Sequence, residues 1–204
     1  MRPLRSSCAA LALAATVGLW MGASPGQAAV VSFMVTPQSA PGASVDVALR
    51  ISELGDATAP SLGAFDLDVV YDPAVLASST VLFGDPALGD QLDLFGLGAL
   101  GPTATPSTGS INLFEVSLDL AADLDALQAG AFTLATLTFA PLATGTSSLE
   151  ISINALADAQ GDPLGATLVP ASVTVRPIPE PATLMLVGAG LGCLLLYRRR
   201  RSSA

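Results

Sequence analysis

Three stretches of this chain alternate apolar and polar residues with a period of two. In residues 45–51 (VDVALRI), Val45, Val47, Leu49 and Ile51 share one face, and Asp46, Ala48 and Arg50 the other. In residues 65–71 (FDLDVVY), Phe65, Leu67, Val69 and Tyr71 alternate with Asp66, Asp68 and Val70. In residues 148–154 (SLEISIN), Leu149, Ile151 and Ile153 alternate with Glu150, Ser152 and Asn154. This is the pattern of a strand with one face in a core and the other toward water. Residues 30–35, 111–118, 132–139 and 172–175 read as less regular strands, and the change of parity between Phe132 and Leu134 and the later Leu137 and Phe139 predicts a bulge near Ala135. Turn signals separate the runs: Pro41-Gly42, Asp72-Pro73, Gly145-Thr146, and Gly161 with Asp162-Pro163. Many short strands with regular punctuation indicate an all-β fold, a two-sheet antiparallel β-sandwich.

One segment breaks the rule. In residues 119–130 (DLAADLDALQAG), Leu120, Leu124 and Leu127 take helical spacing, with Asp119 placed to cap the N-terminus and Gly130 the C-terminus. This predicts a single short helix over one end of the sandwich. Residues 84–110, centred on LFGLGALGP, have no clean period and are expected to form a packed flap over a sheet edge, with one irregular strand.

The residue types present close most routes to catalysis. The chain has no histidine and no lysine, and its two cysteines, Cys8 and Cys193, lie in apolar terminal runs. Ser-His-Asp and Cys-His arrangements, Schiff-base chemistry and His- or Cys-based zinc sites are therefore ruled out for the domain between those runs. Asp66 and Asp68, the obvious carboxylate pair, fall on the outward face of one strand, where a solvated surface is the expectation. No catalytic residue is assigned and no enzyme is expected. Asp158-Ala159-Gln160-Gly161-Asp162 begins like a calcium loop, but Pro163 and Val169 stand where Gly and Glu are required, so a turn is expected, with no metal and no cofactor. Between residues 29 and 178 only Arg50 and Arg176 face sixteen acids, a formal charge of −14. Such a domain repels phosphate, so nucleic acid is not a partner.

The ends carry addresses. Arg2 and Arg5, the apolar run 8–22, and Gly26 and Ala28 follow the order of a secretory signal peptide over residues 1–28, with cleavage expected after Ala28. At the other end, Pro179-Glu180-Pro181 precedes an apolar run, 182–197, and then Arg198, Arg199, Arg200 and Arg201. Sixteen helical residues span about 24 Å, somewhat under the roughly 30 Å hydrocarbon thickness. The four arginines orient such a helix with its tail in the cytoplasm and residues 29–178 outside. Pro179 and Pro181 keep the segment before it extended. This module, residues 177–204, resembles a PEP-CTERM sorting signal. The resemblance implies a membrane-inserted intermediate, recognition of Pro179, Glu180 and Pro181 by exosortase, a membrane cysteine transpeptidase of Gram-negative bacteria, and delivery to a cell surface or an exopolysaccharide-rich biofilm matrix. A permanent single-pass anchor is the alternative reading of the same helix and arginines.

A second resemblance lies in residues 29–176. The segment 63–84 (GAFDLDVVYDPAVLASSTVLFG), with its Tyr71-Asp72-Pro73 turn followed by Val75 and Leu76, and the segment 132–153 (FTLATLTFAPLATGTSSLEISI) are similar to the cohesin-like, carbohydrate-binding-module-like sandwich. This implies a jelly roll of about nine strands. The expected role is that of an exported, non-catalytic surface or matrix protein, with exosortase as processing partner and exopolysaccharide or another surface protein as further partners. A specific binding module for a glycan or a protein is the alternative. A sugar platform needs aromatics, and Tyr71, Phe83 and Phe95 are the few candidates, with Tyr71 on the inward face.

Overall fold

The computed structural model describes residues 28–38, 42–177 and 186–192. Ten strands and one helix follow in the order β1 (Ala29–Val35), β2 (Val45–Ser52), β3 (Leu62–Val70), β4 (Leu76–Phe83), β5 (Leu100–Ser107), β6 (Ser110–Val116), α1 (Ala121–Leu127), β7 (Phe132–Pro141), β8 (Gly145–Asp158), β9 (Ala166–Val169) and β10 (Ala171–Val175). They form two five-stranded sheets, β4-β7-β2-β1-β9 and β10-β8-β3-β6-β5. The strand count is ten where about nine were expected. The first sheet is mixed, because β9 runs parallel to β1 while the other pairings are antiparallel.

The alternating runs build the core as their period requires. Val45, Val47, Leu49 and Ile51 of β2 face Phe65, Leu67 and Val69 of β3, joined by Ile111 and Leu113 of β6, Leu137 and Phe139 of β7, and Leu149 of β8, all buried. Each such side chain removed from water contributes about 1.5–3 kcal/mol, which is what holds two sheets together without a disulfide. Tyr71 is inward and packs edge-on against Phe139, ring centroids 5.1 Å apart. The bulge lies where the parity change puts it: Leu49 pairs with Ala135 and Arg50 with Thr133, so Leu134 is the extra residue. Gly63 is dictated by close approach, since a Cβ there would stand 2.3 Å from the Asp158 carbonyl oxygen of β8.

Other expectations are corrected. The helix is shorter than residues 119–130, and only Leu124 is buried, with Leu120 and Leu127 exposed. Asp119 does not cap it: Leu120 is the N-cap residue and supplies no side-chain hydrogen bond. Asp119 instead accepts the Leu94 N–H at 2.7 Å. Gly130 is not the C-cap, which is Gln128 in extended conformation. The helix stops there because the Gln128 side chain is drawn into the interior, where it donates to the carbonyls of Leu62 and Gln91 and accepts the Leu62 N–H. The expected packed flap over residues 84–110 is packed only in part: Gln91 and Leu92 are buried, Leu88, Phe95 and Leu97 are exposed, and β5 is its irregular strand.

Candidate binding face

The central strand of the second sheet, β3, lies between β6 and β8 and turns Asp66 and Asp68 outward, as the alternation requires. They are not simply solvated. Asp68 stands opposite Asn112 of β6 and Ser152 of β8, and Asp66 opposite Phe114 and Ala155. The register slips between Asp66 and Leu67, which makes Asn154 the extra residue of a bulge on β8 and aims its amide at the pair. Asn112 Nδ2 donates to Asp66 Oδ1 at 2.6 Å and to Asp68 Oδ1 at 3.0 Å, and Asn154 Nδ2 donates to Asp66 Oδ1 at 3.1 Å and to Asp68 Oδ2 at 3.0 Å.

Two amides thus clamp two carboxylates across three strands. The amide hydrogens are spent inward, so the oxygens of Asn112 and Asn154 and the remaining lone pairs of Asp66 and Asp68 form a rigid patch of acceptors. Exposed Glu150 and Val70 and half-buried Phe114 border it. Such a surface offers acceptors to hydrogen-bond donors. The two asparagines were visible in the sequence as polar positions of strands. Their convergence depends on the β8 bulge, which no local signal announces.

A second acidic feature went unread. Glu115 follows Ile111 and Leu113 on the inward side of β6, so the period of two alone places a carboxylate in the core. It is 1% exposed, and its Oε1 has no hydrogen-bond partner among the described residues. Burial, reinforced by Asp90 and Asp93 of the flap, pushes its carboxyl up to about 8. Residues 158–162 form the expected turn, in which Asp158 Oδ1 accepts the N–H groups of Gln160 and Asp162 and Gly161 takes a φ of 85°.

Of the aromatic candidates, Phe95 is exposed, Phe83 is half-buried and stacks on Phe65, and Tyr71 is buried. A hollow of about 300 Å³ between the end of β1 and β10 has Arg176 as its single charged lining residue.

Ala28 is exposed and directly precedes β1, whose first residue, Ala29, is fully buried and donates to the Gly165 carbonyl. The rest of the expected signal peptide lies outside the described residues, as do Pro179, Glu180, Pro181 and Arg198 to Arg201. Of the expected membrane helix 182–197, residues 186–192 are described; they are helical and leave Leu186, Val187 and Leu191 exposed. Among the described residues no helix is long and apolar enough to cross a membrane.

Residues 177–201 match the model of the PEP-CTERM protein-sorting motif. No curated protein matches the sequence. Among solved structures, the chain is similar to a type II cohesin domain from the cellulosome of Acetivibrio cellulolyticus, with 19% identity and a TM-score of 0.56 over 74% of this chain and 98% of that one. It is similar to the sixth cohesin of scaffoldin B from the same organism, solved in complex with a dockerin, with 17% identity and a TM-score of 0.54 over 73% and 99%. A non-cellulosomal cohesin from the archaeon Archaeoglobus fulgidus also matches, with 17% identity and a TM-score of 0.52 over 74% and 92%. The chain therefore combines a sandwich of the cohesin fold with a C-terminal PEP-CTERM sorting motif.

Proposed function

We propose that this is an exported, non-catalytic surface protein: a cohesin-like sandwich delivered by a terminal sorting signal that exosortase recognises and removes. The observation that carries this reading is the motif match at residues 177–201, which begins two residues after β10 closes the sandwich at Val175. Cleavage after Ala28 leaves every strand intact, because β1 begins at Ala29. Processing at Pro179, Glu180 and Pro181 likewise falls beyond the last strand, so both ends can be trimmed without cost to the core. The final location is a cell surface or an extracellular matrix containing exopolysaccharide. The test is intact mass of the protein from membrane, surface and medium fractions of its host, with and without the sorting transpeptidase. A transpeptidase-dependent product that starts at Ala29 and ends near Pro179 to Pro181 is expected. A full-length tail kept in the membrane fraction of both strains would make residues 182–197 a permanent anchor.

The second reading makes the displayed sandwich a protein-binding module, and the clamped patch of Asp66, Asp68, Asn112 and Asn154 favours it. One structurally similar cohesin was solved bound to a dockerin, and a module of the same fold here takes a protein partner on the β8-β3-β6 face. A glycan is the less favoured ligand, because this face has only half-buried Phe114 as an aromatic. Proteins captured from the host's medium by the full chain should be lost when Asn112→Ala and Asp66→Asn are introduced. Capture unchanged in both variants would remove this face from consideration.

A further inference from the structure

We propose that the outer face of the first sheet, β4-β7-β2-β1-β9, is a surface on which two copies of this chain pair about a two-fold axis through Ala48. The charge distribution starts the argument. Residues 29–178 carry sixteen acids, yet the five strands of this sheet contain only one, Asp46, together with one base, Arg50. Both lie on β2, the middle strand, and both alternate outward. The opposite sheet turns Asp66, Asp68 and Glu150 outward and has no base in its strands. Two copies of a segment at −14 repel each other where acids meet acids, whereas this face carries no net charge.

Asp46 and Arg50 cannot satisfy each other within one copy. Four residues apart on a strand, their Cα atoms are separated by about 13 Å. Asp46 Oδ1 accepts the Thr138 hydroxyl at 2.7 Å, and Arg50 donates to Met34 Sδ at 3.5 Å, a weak acceptor for a guanidinium. A two-fold axis lying in the face, across the strands at Ala48, removes the mismatch. It sets the β2 strands of the two copies antiparallel, with Asp46 of each over Arg50 of the other, so the same pairing is made twice.

The row of side chains along that axis suits close approach. Leu82 of β4 stands beside Thr136 of β7, Thr136 beside Ala48 of β2, and Ala48 beside Met34 of β1. Leu82 is 68% exposed and Met34 54%. Each residue of the row meets its own counterpart, so Ala48 and Thr136 let the faces close at the centre while Leu82 and Met34 pack on either side. Five strands about 4.8 Å apart and about six residues long give a face on the order of 500 Å² in flat projection. That is near the lower limit of a specific interface, about 600 Å² per partner, so the pair is weak and concentration-dependent. The sandwich end that carries Val35 and Arg176 in one hollow points oppositely in the two copies. Under the sorting reading above, the contact therefore joins copies on facing surfaces or copies freed from the membrane, and leaves the β8-β3-β6 face of each open.

The test is sedimentation equilibrium of the full-length chain in a density-matched detergent, over a concentration series at 0.1 M salt. A monomer–dimer equilibrium with a dissociation constant of about 10–100 μM is expected. Asp46→Arg sets arginine against arginine twice and Arg50→Asp sets aspartate against aspartate twice, and each should weaken the dimer at least about tenfold. The double variant exchanges the partners and should return to within about threefold of the natural chain. Asp162→Arg, the same change of charge in the β8–β9 turn, should not weaken the dimer. A natural chain that stays monomeric at every concentration would overturn the proposal. So would a dimer that persists undiminished in both single variants, which puts the contact in the terminal helix or on another face, and so would a double variant no tighter than the single ones.

Discussion

Asp85 shows how much one carboxylate can organise. Its Oδ1 accepts the N–H groups of Ala87 and Leu88, and its Oδ2 accepts that of Thr133 at the β7 bulge, so it ties the first turn of the flap to the first sheet. Burial alone would raise its pKa, but the N–H donors of Ala87, Thr133 and Leu88 and the Thr133 hydroxyl outweigh it and hold the carboxyl at about 2. A depressed folded-state pKa stabilises the fold above the unfolded value, near 4, and that contribution is lost as pH falls toward about 2. Asp85→Asn should therefore cost about 1–2 kcal/mol at neutral pH in urea denaturation, a partly solvated share of what charge-assisted bonds contribute. The deficit should shrink between about pH 4 and pH 2. A deficit that stays constant with pH would show that the carboxylate charge is not its source. At this scale the sequence was legible where side chains obey their strand, as with Asp66, Asp68 and Tyr71. It was equally legible at Glu115, where the same period of two puts a charge inside.

Two buried glutamines join elements that share no sheet. Gln128, at the end of α1, makes three hydrogen bonds of 2.6–2.9 Å to the backbone of Leu62 and Gln91, and the Ala129 N–H donates to Gln91 Oε1 at 3.0 Å. The start of β3, the helix end and the flap are thereby one polar unit at the rim of an apolar core. Replacing Gln128 by Leu keeps the volume but strands the backbone groups it served, at a cost of about 2–4 kcal/mol in denaturant unfolding. Native-state hydrogen exchange should locate the damage in the flap, with residues 88–98 opening faster than β2 and β7. Uniform acceleration across all strands would show that the unit is not separate. The strands were readable because burial on one face imposes a period. The helix caps and the flap were not, because tertiary hydrogen bonds from Asp119 and Gln128 override the local capping rules, and β4 hid its pattern in LASSTVLF, where a bulge at Ser79 breaks the register.

At the scale of the whole molecule, the described strands form a sandwich between the two proposed processing points, and the charge of residues 29–178 restricts its company. The acceptor patch on β3, β6 and β8 belongs to a segment of formal charge −14, and its two arginines sit away from that patch. The proposed partner, if it is positively charged, is drawn by the long-range field before any contact forms, and that field is screened within about 10 Å at 0.1 M salt and about 3 Å at 1 M. The bordering Val70 and Phe114 supply a contact that salt does not weaken. The two contributions separate by experiment. If the clamped carboxylates carry recognition, capture of the partner should fall several-fold between 0.1 M and 1 M sodium chloride, and Asp66→Asn should flatten that dependence as well as lower the affinity. Capture that holds steady or strengthens with salt would transfer recognition to the apolar border, and Phe114→Ala would then become the substitution that abolishes it.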